Sequence, residues 1–125
     1  MSVRKLLGQL AAHIVVALIA LVVVGGATRV MEAGLACPDW PLCYGSLFPK
    51  GHMNIQVFLE WFHRLDALFV GISILVQFFL SLSYKSFLPK WLPLFNGLLV
   101  VIVISQGALG AVTVFALLPS TVVMA

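Results

Sequence analysis

Glu60-Trp61-Phe62-His63-Arg64-Leu65-Asp66 leads directly into Ala-Leu-Phe-Val-Gly-Ile-Ser-Ile-Leu-Val-Gln-Phe-Phe-Leu-Ser-Leu-Ser at 67–83. Two carboxylates, an imidazole and a guanidinium therefore stand at the head of a long apolar run. On a helix Glu60 and His63 are three residues apart and share a face, and Arg64 sits one turn from Glu60. Ionisable groups are costly inside a bilayer and face a polar interior or cavity, so this head is a candidate functional site.

The composition decides the solvent. Hydrophobic residues make up 62% of the 125-residue chain and charged residues 9%, with a mean hydropathy of +1.16. A soluble domain averages ~45–50% apolar and ~25% charged, so the expected class is an all-α polytopic transmembrane helix bundle. Seven basic residues give a net charge of +3 but are scattered, with no run longer than Arg4-Lys5. Nucleic-acid binding is not suggested by that pattern.

Three complete spans are expected at about 9–28, 55–84 and 91–114, followed by the start of a fourth. Segment 10–24 is nearly unbroken apolar sequence. Its alternative reading is a secretory signal, since Arg4-Lys5 precedes it and Gly25-Gly26-Ala27 follows. His13 near one end reads as an interfacial or packing residue. The second span is longer than a bilayer needs, so the turns carrying Glu60 project towards the loop or line a cavity. In the third, Trp91 reads as an interface anchor and Asn96, Gln106 and Thr113 are the polar residues. Gln106, Gly110 and Thr113 form a stripe expected to face the bundle, and Gly97, Gly107 and Gly110 are expected to permit close helix approach. After a turn at 117–120, residues 121–125 read as the opening of a further span. A chain ending there is expected to be the N-terminal piece of a longer protein and inactive by itself.

Arg4, Lys5, Lys85 and Lys90 fall on one side of these spans; Arg29 and Lys50 fall on the other, with Glu32 and Asp39. The positive-inside rule then places the N-terminus in the cytoplasm and the loop at 29–53 outside. That loop exceeds the length of an idle connection. It carries Cys37 and Cys43, the chain's two cysteines. On an oxidising side such a pair reads first as a disulfide, used to stiffen the loop or to exchange electrons with an external thiol carrier. A metal site is the alternative, although no further Cys pair or His-x₃₋₅-His spacing completes one. His63 has three readings: a packing histidine bonded to Glu60 or Asp66, a proton relay with Glu60, or an axial haem ligand with Arg64 available to a propionate. His52 belongs to the loop and is a poor second ligand.

Gly26-Ala27-Thr28-Arg29, the loop Gly34-Leu35-Ala36-Cys37-Pro38-Asp39-Trp40-Pro41-Leu42-Cys43-Tyr44-Gly45, and Glu60-Trp61-Phe62-His63-Arg64 together resemble haem A synthase, the cytochrome oxidase assembly family. Gln106-Gly107, Gly110 and Thr113-Val114 resemble its third helix. The likeness runs from about residue 10 to 125, and the cysteine loop with Glu-x-x-His-Arg seventeen residues later is its most specific part. The resemblance implies two four-helix halves and oxidation of a methyl group of haem O to the formyl group of haem A. It makes His63 an axial ligand of the haem substrate, Arg64 part of the haem site and Glu60 the acidic residue of the oxidation. Cys37 and Cys43 become the outer-loop disulfide, and haem b belongs to the other half. The family's second histidine lies on a fourth helix. Implied partners are the membrane, haem O, the C-terminal half or a homo-oligomeric copy, haem O synthase and an external thiol-disulfide carrier; the implied location is the bacterial plasma membrane. Two other classes fit the same residues: a non-catalytic haem-binding electron-transfer module, and a thiol or metal assembly factor built on Cys37 and Cys43.

Overall fold

The structure, a computed structural model, describes residues 2–31, 33 and 36–117. Three long helices carry the chain: α1 (Val3–Val30), α2 (Ile55–Ser83) and α3 (Trp91–Leu117). The expected turn at 118–120, the further span at 121–125, Glu32 and the Thr113 side chain lie outside the description.

The starts of α1 and α2 have local causes. The Ser2 hydroxyl accepts from the Lys5 amide at 3.3 Å, and the Asn54 side chain accepts from the Val57 amide at 2.9 Å, so each satisfies an otherwise orphaned first-turn donor. The Ser2 cap sits upstream of the apolar run, and helix α1 accordingly begins at Val3, earlier than the span expected from hydropathy. Its 28 residues reach about 42 Å at ~1.5 Å per residue, more than the ~30 Å of hydrocarbon, so its basic first turns stand outside it. Among the described residues all three helices are long and apolar enough to cross a membrane. This is a multi-pass integral membrane protein.

Helix α2 is the central element, packing against α1 on one side and α3 on the other. Ile14 and Ala17 of α1 meet Val70 and Ile74 of α2, with Leu99, Val100 and Val103 of α3 closing the cluster. Helix α1 is thus a member of the bundle. Gly97 permits the approach of α3: a Cβ there would stand 3.3 Å from the Phe78 ring. Beside it Gln77 donates to the Asn96 side chain at 2.9 Å, a buried amide pair between α2 and α3. The stripe expected to face the bundle does not do so among the described residues. Gln106 and Gly110 are exposed, and a Cβ at Gly107 or Gly110 would meet nothing within 4 Å. The reason is the docking of α3, which meets α2 through Asn96, Gly97, Leu99, Val100 and Val103 and leaves its later turns free of α2. At the opposite end from the cysteine loop, Arg4 Nε donates to the Phe87 carbonyl at 3.4 Å, tying the start of α1 to the turn after α2.

Candidate functional site

The loop between α1 and α2 is fastened to the head of α2. Cys37 and Cys43 are joined in a disulfide, with Cα atoms 4.9 Å apart and both side chains fully buried against Val57, Met53 and Trp61. Their sulfurs are bonded to each other, which leaves no thiolate for a metal. Among the described residues no three His, Cys, Asp or Glu side chains converge on an ion-sized site. The Asp39 carboxylate organises the turn behind the disulfide by accepting from the Tyr44 amide at 2.6 Å and the Gly45 amide at 2.8 Å. Tyr44 and Gly45 have φ of 52° and 72°, a left-handed pair that reverses the chain and suits glycine at the second position. His52 stacks on Tyr44 at 4.0 Å between ring centroids, on the loop side.

Three residues of α2 grip this loop. Trp61 Nε1 donates to the Leu47 carbonyl at 2.5 Å, and its ring meets Phe48 edge-on. Arg64 donates to the main-chain carbonyls of Asp39, of Leu42 at 2.7 Å and of Cys37 at 3.4 Å. It also pairs with Glu60 Oε1 at 2.5 Å. The other oxygen of Glu60 accepts from the Cys37 amide at 3.0 Å. Glu60 is only 4% exposed, so a carboxylate in an apolar bundle is held by one cation and by the loop backbone at Cys37 and Ala36. A charge so buried needs both partners. On the far side of the loop Trp40 reaches Phe115 of α3, rings edge to face at 6.4 Å.

His63 lies one turn on from Glu60, and its half-buried ring is directed at α1, where it rests against Gly25. The Leu21 carbonyl lies beside the ring, and Asp66 is close enough to act on it electrostatically. His63 Nδ1 and Asp66 Oδ2 are buried without a hydrogen-bond partner among the described residues. An unpartnered imidazole nitrogen in an apolar span is costly unless something is bound there. Glu60 and His63 share the head of α2 as their spacing predicts, but they serve different neighbours: the acid faces the loop and the imidazole faces α1. Sequence reasoning names Glu60, His63, Arg64 and both cysteines. It misses Asp39 as the loop's organiser, and it misses Gly25, which reads there only as one of a set of small residues.

Fold and site together define a class: a multi-pass helical membrane protein whose disulfide-bonded loop is bolted over a buried acid, one turn before a histidine, at the head of its central helix. The chain belongs to the cytochrome oxidase assembly protein family, whose model matches residues 9–125. Heme A synthase of Shewanella oneidensis is similar at 39% identity over 119 aligned residues, covering 82% of this chain and 35% of that protein. Heme A synthase of Bradyrhizobium diazoefficiens is similar at 36% identity, covering 51% and 26% respectively. Protoheme IX farnesyltransferase of Haloarcula marismortui is similar at 36% over 74 residues, 59% of this chain and 15% of that one. The chain spans about a third of the length of the first of these relatives. No solved structure matches it.

Proposed function

We propose that this chain forms a haem-substrate site of a haem A synthase, the protein that oxidises a methyl group of haem O to the formyl group of haem A. One observation carries the proposal: an imidazole whose Nδ1 is buried and unpartnered among the described residues, on the helix whose preceding turn holds a buried carboxylate under a disulfide loop. The residues present fit a haem. His63 offers an Nδ1 that no described residue uses, and the bare Gly25 backbone lets the ring pack directly on α1. A bound haem O would supply both the iron that accepts the imidazole and the methyl group to be oxidised.

The protein's own contribution follows from its bonds. His63 would hold the iron of the substrate haem and so orient it. Glu60 brings a negative charge whose position is set by Arg64 and the Cys37 amide, and it accepts a proton when either bond is released. Arg64 fixes the acid and the loop through its two terminal nitrogens. The disulfide loop excludes water from the acid. The haem b that the resemblance implies takes no residue of this chain. The asymmetry of basic residues supports a cytoplasmic N-terminus and an outer cysteine loop in a bacterial plasma membrane. Haem O synthase, as the supplier of the substrate, and an external thiol carrier acting on Cys37–Cys43 are the partners this reading calls for.

The test is a reduced-minus-oxidised visible spectrum of the purified protein, with extracted haem identified chromatographically. Haem O or A in the wild type but not in His63→Ala is the expected result. A folded wild type that takes up neither haem overturns the proposal. Formyl haem production by the full-length protein, lost in Glu60→Gln with haem retained, separates the enzyme from a passive haem carrier.

A further inference from the structure

We infer that Gly25 is a positioning residue for His63: its missing Cβ is the seat that sets the orientation of the imidazole. The inference rests on the haem-ligand reading of His63 for its consequence, but not for its geometry. A Cβ built at Gly25 would stand 3.0 Å from Cε1 of His63, 3.5 Å from Nδ1 and 3.8 Å from Nε2. Cε1 lies between the two nitrogens, so α1 abuts the ring there and a shift of the ring at that point moves both nitrogens. The three heavy atoms nearest that Cβ all belong to this ring. Its neighbour is the internal control: a Cβ at Gly26 would meet nothing within 4 Å.

Glycine inside a helix is unfavourable relative to alanine, through greater backbone entropy in the unfolded chain. At Gly26 nothing in the structure offsets that cost. At Gly25 the offset is the close approach of the ring. A methyl group there demands a few tenths of an ångström from an imidazole that also lies beside the Leu21 carbonyl. Ligand geometry tolerates displacements of that size poorly, because binding sites need their groups held within about half an ångström.

The experiment compares Gly25→Ala and Gly26→Ala with the wild-type chain in detergent. Its two readouts are the ring resonances of isotope-labelled histidine without haem, and titration with protohaem read in the Soret band. His63→Gln assigns the His63 signal against His13 and His52. Expected for Gly25→Ala is a moved His63 resonance with the other two unmoved, and protohaem binding weakened about five- to tenfold with a shifted Soret maximum. The helix itself should be no less thermostable, since alanine is the better helix former. Gly26→Ala should match the wild type in both readouts. A His63 resonance in Gly25→Ala that coincides with the wild type overturns the inference, whatever the haem result. A moved resonance with unchanged protohaem affinity and spectrum also overturns it, because the seat would then not matter to the ligand. If the wild type binds no haem while Gly25→Ala still moves the His63 signal, the seat stands and the haem reading of the site fails.

Discussion

Replacing Arg64 by leucine tests how the loop and the acid depend on one guanidinium. The substitution leaves Glu60, 4% exposed, with the loop backbone at Cys37 and Ala36 but no cation. It also leaves the carbonyls of Asp39, Leu42 and Cys37 without their donor. Breaking a buried ion pair by removing one partner costs ~3–5 kcal/mol, because the survivor's charge is uncompensated. Asp39 and Leu42 are half-buried, so water recovers part of their loss, and about 4 kcal/mol is expected in all. Glu60→Gln behaves differently. It keeps an acceptor for the Cys37 amide and loses a charged hydrogen bond, for about 2 kcal/mol. In the Arg64→Leu background the same glutamine removes a stranded charge and should therefore restore stability by about 2 kcal/mol. The assay is reversible unfolding in mixed detergent followed by far-ultraviolet circular dichroism, run as a double-mutant cycle. A Glu60→Gln cost that is equal in both backgrounds refutes the reasoning, since the pair would then contribute nothing that depends on its partner.

Three further outcomes follow from the same structure. Converting both cysteines to serine opens a loop of seven residues, worth about 2 kcal/mol by chain entropy, and limited proteolysis of the loop should accelerate while the His63 resonance stays put. Asn96→Leu strands the Gln77 amide between α2 and α3 and should cost ~1–3 kcal/mol, whereas the double change with Gln77→Leu should recover most of it in the same unfolding assay. Trp61→Phe removes the bond to the Leu47 carbonyl while keeping the ring, and should cost about 1 kcal/mol, with loop proteolysis again the sensitive readout.

The fold was legible because a bilayer leaves few options. Uninterrupted apolar runs of sufficient length must be helices there, and two prolines flanking Asp39-Trp40 between the cysteines must interrupt one. Hydropathy marks where the hydrocarbon lies and not where the helix stops. That is why α1 starts at Val3 under the Ser2 cap, six residues before the expected span. The Gln106–Gly110 stripe shows another limit. Periodicity tells which residues share a face but not which face has a neighbour, and α3 meets α2 elsewhere. At the site, spacing along α2 was enough to single out Glu60, His63 and Arg64. Their partners were not legible. Arg64 and Trp61 take main-chain carbonyls, which no residue type announces, and Gly25 matters through an atom it does not possess. The Gln77–Asn96 pair was half visible: Asn96 stood out as polar, but nothing near it in sequence pointed to a glutamine nineteen residues earlier.

The choice of acceptors on the loop governs how its sequence can drift. Arg64 is satisfied by backbone oxygens at positions 37, 39 and 42, and every amino acid carries that atom. Leu42 can therefore exchange for residues of similar bulk without loosening the clamp, provided the path of the backbone survives. Positions whose side chains draw that path, the two cysteines and Asp39, have no such freedom. Arg64 has the least, because a lysine carries one nitrogen to meet what a planar fork now meets with two. Across diverging relatives the loop should vary at Leu42, which is held by its backbone alone, and stay fixed where side chains shape it.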